Sequence, residues 1–179
     1  MIYLFLGTGF EETEAVAPLD LLRRAGVDVK TVGLNGQIIT GSHKIPIAAD
    51  ITIEELDFST MDGIILPGGL GGVASIRGCQ KAMEALAYAR EHNLLTAAIC
   101  AGPTVLADLG ITEGKCCVCY PGCEGAMGSA KMMQKAAVTD GSVITGASAG
   151  CAVPFGLELI AYLKGKETAE TIAKQIVIR

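Results

Sequence analysis

The stretch Thr96-Ala97-Ala98-Ile99-Cys100-Ala101-Gly102-Pro103-Thr104-Val105-Leu106 decides the fold. Leu94–Ile99 is apolar on both faces, as a strand buried inside a parallel sheet must be. A helix follows, because Pro103 suits a first helical turn, where no backbone donor is needed. The chain therefore passes from strand to helix at Cys100. Ala98 and Gly102, two residues to either side, are the small neighbours such a sharp turn requires. A thiol at a helix N-terminus has its anion stabilised by backbone N–H groups and the dipole. Most cysteines are simply buried and inert. Here position and neighbours together favour a reactive Cys100.

Working outward, the same alternation repeats. Strand-like apolar runs cover Ile2–Leu6, Val27–Gly33, Gly63–Leu66 and Ser142–Ala147. Helix-like runs cover Glu11–Ala25, Gln80–Glu91, Pro103–Leu109, Cys151–Leu163 and Glu167–Ile176. Alternation of this kind implies an α/β fold, a mostly parallel sheet with helices on both faces. Gln37–Thr40 and Ile45–Asp50, joined through Gly41 and Ser42, read as a hairpin insertion. Lys115–Ala126 reads as a strand leading into an irregular Cys- and Gly-rich loop.

The length of 179 residues fits a single domain spanning residues 1–179. Half the residues are apolar, which excludes disorder, yet no run approaches the ~20 residues of a membrane span. The net charge is −5 with no basic stripe, so neither nucleic acid nor a membrane surface is expected as a partner. The N-terminus lacks the basic start and apolar core of a signal peptide, so a cytoplasmic location is expected. The 7 cysteines then read as reduced thiols.

In an open α/β sheet, ligands sit at the carboxyl ends of the strands. Four such ends are unusual here: Gly7–Glu14, Pro67–Gly72, Cys100–Gly102 and Gly146–Gly150. Glu11 and Glu12 read as complements to a helix dipole. Glu14 has Pro18 four residues on, so a kink is expected that would aim its carboxyl inward. Residues 69–74 match G-x-G-x-x-A, but the next strand ends in Cys100, not in the acidic residue that would hold a ribose. No cofactor is therefore expected, and Gly68-Gly69 reads as a bare backbone N–H facing the thiol. Gly146-Ala147-Ser148-Ala149-Gly150 matches G-x-S-x-G, yet no His follows Ser148, so close helix–sheet packing explains it.

An imidazole base is missing as well. His92 precedes the strand that ends at Cys100, which at ~3.3 Å per residue puts it roughly 20 Å away. His43 lies in the hairpin insertion, with no obvious route to the site. A Cys-His triad, and with it a cysteine protease or glutamine amidotransferase, is disfavoured. Cys116, Cys117, Cys119 and Cys123 crowd one loop without the paired spacing of structural zinc, so no metal is expected. They read instead as solvent-accessible thiols able to resolve an oxidised Cys100.

These motifs resemble a known group. Ala97-Ala98-Ile99-Cys100-Ala101-Gly102-Pro103, Glu11-Glu12-Thr13-Glu14 and Leu66-Pro67-Gly68-Gly69 look like the ThiJ/PfpI superfamily, in its DJ-one branch. Arg23-Arg24-Ala25-Gly26 and Gly156-Leu157-Glu158 fit too. The resemblance implies a flavodoxin-like three-layer sandwich, of the class I glutamine amidotransferase-like type, and a homodimer. It implies Cys100 as oxidation-prone nucleophile and Glu14 as its protonated carboxyl partner. The backbone N–H groups of Gly69 and Ala101, beside Gly68, would form an oxyanion pocket. It further implies a cofactor-free glyoxalase or a deglycase of glycated adducts. A redox-sensing or chaperone-like stress protein is the alternative, and thiazole monophosphate biosynthesis is a label in the group. Ala101 stands where the protease branch has His, so protease activity does not carry over. Tyr120 takes the place where many members have a His. A phenol donates a hydrogen bond but is a poor base near neutral pH. Turnover would then rest on Glu14 for proton transfer.

Overall fold

The computed structural model describes residues 1–178. In chain order the elements are β1 (Ile2–Leu6), α1 (Glu12–Arg24), β2 (Val29–Gly33), β3 (Ile38–Thr40), β4 (Pro46–Ala48), β5 (Ile51–Thr52), β6 (Gly63–Leu66), α2 (Leu70–Gly78), α3 (Gln80–Glu91), β7 (Leu95–Ile99), α4 (Pro103–Asp108), β8 (Cys116–Cys117), β9 (Lys131–Met132), β10 (Ala137–Asp140), β11 (Val143–Gly146), α5 (Ala152–Lys164) and α6 (Lys166–Gln175). The main sheet runs β10-β11-β7-β6-β1-β2-β5. Every pairing in it is parallel except β10 with β11. This is the mostly parallel, flavodoxin-like α/β sandwich the alternation implied.

The alternation of side chains along each strand builds two cores. Ile2, Leu4 and Leu6 of β1, with Ala97 and Ile99 of β7, pack against Leu21, Phe155, Leu159 and Ile172 of α1, α5 and α6. Tyr3 and Phe5, with Ile64, Leu66 and Ala98, pack against Val73, Leu86, Val105 and Leu106 of α2, α3 and α4. Burying one such Leu, Ile or Phe fully contributes about 1.5–3 kcal/mol. Both faces of the central strands are thus dry, which is why their sequence is apolar throughout.

Sheet order also places the functional crevice. From β1 the chain moves outward to β2 on one side, while β6 lies on the other. Such a reversal opens a crevice at the carboxyl ends of the strands. The ends of β1, β6 and β7 lead into Glu14, Gly68 and Cys100 respectively.

Several elements depart from the sequence reading. Pro67–Gly72 is not only a turn, because α2 begins within it at Leu70. Strands β5 and β10 were not expected. The Lys115–Ala126 strand shrinks to β8, paired in parallel with β9. The hairpin forms as β3 and β4, with its turn extended over residues 41–45 by the bonds Gly41 N to Ile45 O and Lys44 N to Gly41 O. Helix α1 continues through Pro18 to Arg24, and Glu14, Pro18, Leu21 and Leu22 form its buried stripe. That buried stripe turns Glu14 inward. Among the described residues, no helix is long and apolar enough to cross a membrane.

Candidate active site

Cys100 sits between the last residue of β7 and the first turn before α4. Its φ is +65°, a left-handed conformation that costs a non-glycine residue roughly 1–3 kcal/mol. Two backbone hydrogen bonds clamp it there. Its N–H donates to Gly146 O at 3.0 Å, and its carbonyl accepts from Tyr120 N–H at 2.8 Å. The strain is thus imposed by β11 on one side and by the loop before β9 on the other.

Glu14 lies directly beneath. It is 1% exposed, and its Oε2 accepts the Gly68 N–H at 2.8 Å. Its Oε1 makes no bond of good geometry, while its carboxyl engages the Cys100 thiol. Gly68 fills the angle between them. A Cβ there would lie 2.6 Å from Glu14 Oε2 and 2.7 Å from Cys100 Cβ. Gly69 holds φ at +83°, and a Cβ on it would lie 2.5 Å from Gly9 O. Both glycines are therefore fixed by sterics, and the backbone N–H groups of Gly69 and Ala101 favour the Cys100 thiolate.

The electrostatics couple the two side chains. Burial pushes Glu14 above its ordinary value, and the charge of Glu11 adds to this; bonds from Cys100 and Gly68 pull the other way. Beside an ionised Glu14 the thiol is pushed up to about 12, by burial first and then by the Glu14 charge and hydrogen bond. The Ala101 and Gly69 N–H groups act against that rise.

Above the sulfur is a cavity of about 300 Å³ lined by Glu11, Gly69, Leu70, Cys100, Ala101, Tyr120 and Cys123. The crevice therefore gathers all six residues singled out from the sequence: Cys100, Glu14, Gly68, Gly69, Ala101 and Tyr120. Tyr120 is 50% exposed and stands at its rim.

Comparison with known proteins identifies the family. The model of the DJ-1/PfpI family matches residues 1–162.

The chain belongs to the DJ-1/PfpI family.

Among its relatives is Protein dj-1beta of Drosophila melanogaster, 34% identical across 98% of this chain and 95% of that protein. The crystal structure of that fly protein superposes with a TM-score of 0.94 at 33% identity, covering 99% of this chain and 97% of the other. Toxoplasma gondii DJ-1, solved in a form described as oxidized, gives a TM-score of 0.93 at 30% identity, covering 98% and 97%. A Caenorhabditis elegans relative named glutathione-independent glyoxalase DJR-1.2 is 29% identical over 94% of this chain and 90% of its own length.

Other residues of this family member fall where packing, not chemistry, accounts for them. His92 stacks on Tyr88 at the amino end of β7, on the opposite sheet edge. Gly71 and Gly72 are spent on close approach to Gly9 and Phe10. Gly146 allows Ile99 and Phe155 to close against the sheet.

Three expectations need correction. Glu12 is more than a dipole complement. It is buried and accepts the His43 and Ile45 N–H groups, while its Oε2 lies 3.0 Å from His43 Nδ1, so it fastens the hairpin to α1. His43 does approach the site's border, 3.5 Å from Glu11, which lines the cavity. The loop thiols are not uniformly accessible. Cys117 and Cys119 are buried with Met127 and pushed up to about 11 by burial. Only Cys123 of that group joins the cavity wall. Its role, like that of Glu11, depends on loop packing that no local sequence signal announces.

Proposed function

We propose that this chain is a cofactor-independent enzyme for small α-oxoaldehydes, glyoxalase in type, with Cys100 as nucleophile. The observation that supports it most is the set of groups around one sulfur. A strained elbow presents the thiol, two backbone donors face it, and a buried carboxyl lies against it. In this reading Glu14 holds the proton of the pair. It is the more deeply buried of the two, and the sulfur has two backbone donors where the carboxyl has one.

The thiolate adds to the aldehyde carbon, forming a C–S bond, and Glu14 protonates the former carbonyl oxygen. The resulting Glu14 carboxylate then takes the proton from that carbon and returns it to the neighbouring carbon, while the hydroxyl proton passes to the neighbouring oxygen, so that the first carbon becomes a carbonyl and the second bears the hydroxyl. The product is a thioester of a 2-hydroxy acid, which water cleaves to release the acid and restore the thiol. Gly69 and Ala101 N–H groups hold the developing oxyanion. A 300 Å³ cavity sits at the small end of ligand sites and suits an aldehyde of few atoms. Proton NMR of methylglyoxal tests this: lactate should form with wild type and not with Cys100→Ser. Equal lactate from both would overturn it.

A second reading follows from Tyr120. With a phenol at the rim and no imidazole on the cavity wall among the described residues, proton transfer falls to carboxyl groups, Glu14 being the one beside the thiol. A slow enzyme of this build would serve as a redox-responsive protein, its Cys100 oxidised and held by the same donors. For either reading we also propose a homodimer.

A further inference from the structure

We propose that Cys123 is the resolving thiol of Cys100, so that a hydroperoxide converts the pair to an intramolecular disulfide. The proposal rests on the nucleophilic reading of Cys100. Its ground is geometric, because both cysteines line the same 300 Å³ cavity. They are also linked through one residue. Tyr120 N–H donates to Cys100 O at 2.8 Å, and Cys123 N–H donates to Tyr120 O at 2.9 Å. The turn thereby carries Cys123 back over the elbow.

A disulfide needs Cα atoms roughly 4.4–6.8 Å apart. Gly122 and Gly125 flank Cys123, and a Cβ on either would meet nothing within 4 Å. The other loop thiols are excluded by position. Cys117 and Cys119 are buried in an apolar cluster at whose edge Cys123 packs, neither lines the cavity, and Cys116 sits on β8 away from it.

The chemistry balances in two steps. The Cys100 thiolate attacks the peroxide O–O bond, giving a sulfenic acid and releasing water or an alcohol once the leaving oxygen takes a proton. The Cys123 sulfur then attacks the Cys100 sulfur, forming the S–S bond and expelling the sulfenic oxygen as water. A small thiol returns both cysteines to the reduced state by exchange. Without Cys123, the sulfenic acid would take up a second peroxide oxygen and become a sulfinate, which thiols do not reverse.

The test is treatment with several equivalents of hydrogen peroxide, then alkylation of free thiols and peptide mass mapping without reductant. Wild type should yield a peptide pair joined through Cys100 and Cys123, lighter by two hydrogens and separated by dithiothreitol. Cys123→Ser and Cys123→Ala should yield Cys100 with two added oxygens, unchanged by dithiothreitol. Cys119→Ser should behave as wild type. Sulfinate at Cys100 in wild type with no joined pair, or a pair joined through Cys119, would overturn the proposal and leave the nucleophile in place. An unoxidised Cys100 in every variant would overturn both.

Discussion

Cys100 keeps its left-handed backbone because Gly146 and Tyr120 hold it from both sides, so its conformation survives side-chain replacement. Cys100→Ser should therefore fold normally and lose aldehyde turnover. Glu14→Gln keeps the shape and the Gly68 contact but cannot exchange a proton. It should lower kcat roughly 100-fold or more, the usual scale of a lost acid–base group. Circular dichroism alongside steady-state kinetics checks both; a kcat for Glu14→Gln near wild type would remove Glu14 from the reaction. At this scale the strand-to-helix turn at Cys100 and the Gly68-Gly69 turn were legible because each is local in sequence, whereas Ala101 was named through the family resemblance. Glu12 was misjudged. Its partners, His43 and Ile45, are some thirty residues away, and their approach depends on the hairpin folding back.

At the scale of elements, the turn after β6 tolerates nothing larger than glycine. Gly68→Ala would force its new methyl into Glu14 and Cys100. It should destabilise the fold by about 1–3 kcal/mol, as overpacking does, and slow alkylation of Cys100. Denaturant melts and timed iodoacetamide labelling would reveal both. The hairpin gives a pH test. Burial works to raise Glu12, but hydrogen bonds from its own backbone, His43 and Ile45 outweigh it and hold the carboxyl down at about 2. A depressed carboxyl stabilises the fold above its ordinary 4.5 and loses that contribution as pH falls toward 2. Glu12→Gln should accordingly cost about 2 kcal/mol near neutrality. Urea melts at a series of pH values should show that gap closing in acid; a constant gap would contradict the assignment. Helix α2 escaped the sequence reading because each interior Gly costs a helix ~1 kcal/mol. Gly71 and Gly72 are required by contact with Gly9 and Phe10, which only the assembled fold shows. Strands β1, β6, β7 and β11 were readable because burial on both faces leaves an apolar run.

For the whole molecule, the switch in strand order at β1 and β6 brings three distant turns to one crevice. This was readable from the alternation of elements, since the carboxyl edge is shared by every parallel strand. The proposed homodimer has a surface suited to it. Thr13, Val16 and Ala17 of α1 and Ile45 and Ile47 of the hairpin line one apolar groove, with Val16 45% exposed. Val16→Asp should give a monomer in light scattering behind gel filtration, where wild type gives a dimer. A dimer unchanged by Val16→Asp would place the interface elsewhere.

The claim on which the rest depends is that Cys100 ionises while Glu14 keeps its proton. The most direct measurement is the pH dependence of iodoacetamide labelling, read cysteine by cysteine by mass mapping. The account predicts that Cys100 labels rapidly at neutral pH, ahead of the other thiols, and that Glu14→Asp alters its profile while Cys123→Ser does not. A Cys100 that stays unlabelled until the pH nears 12, where an ionised Glu14 would hold it, would contradict the account.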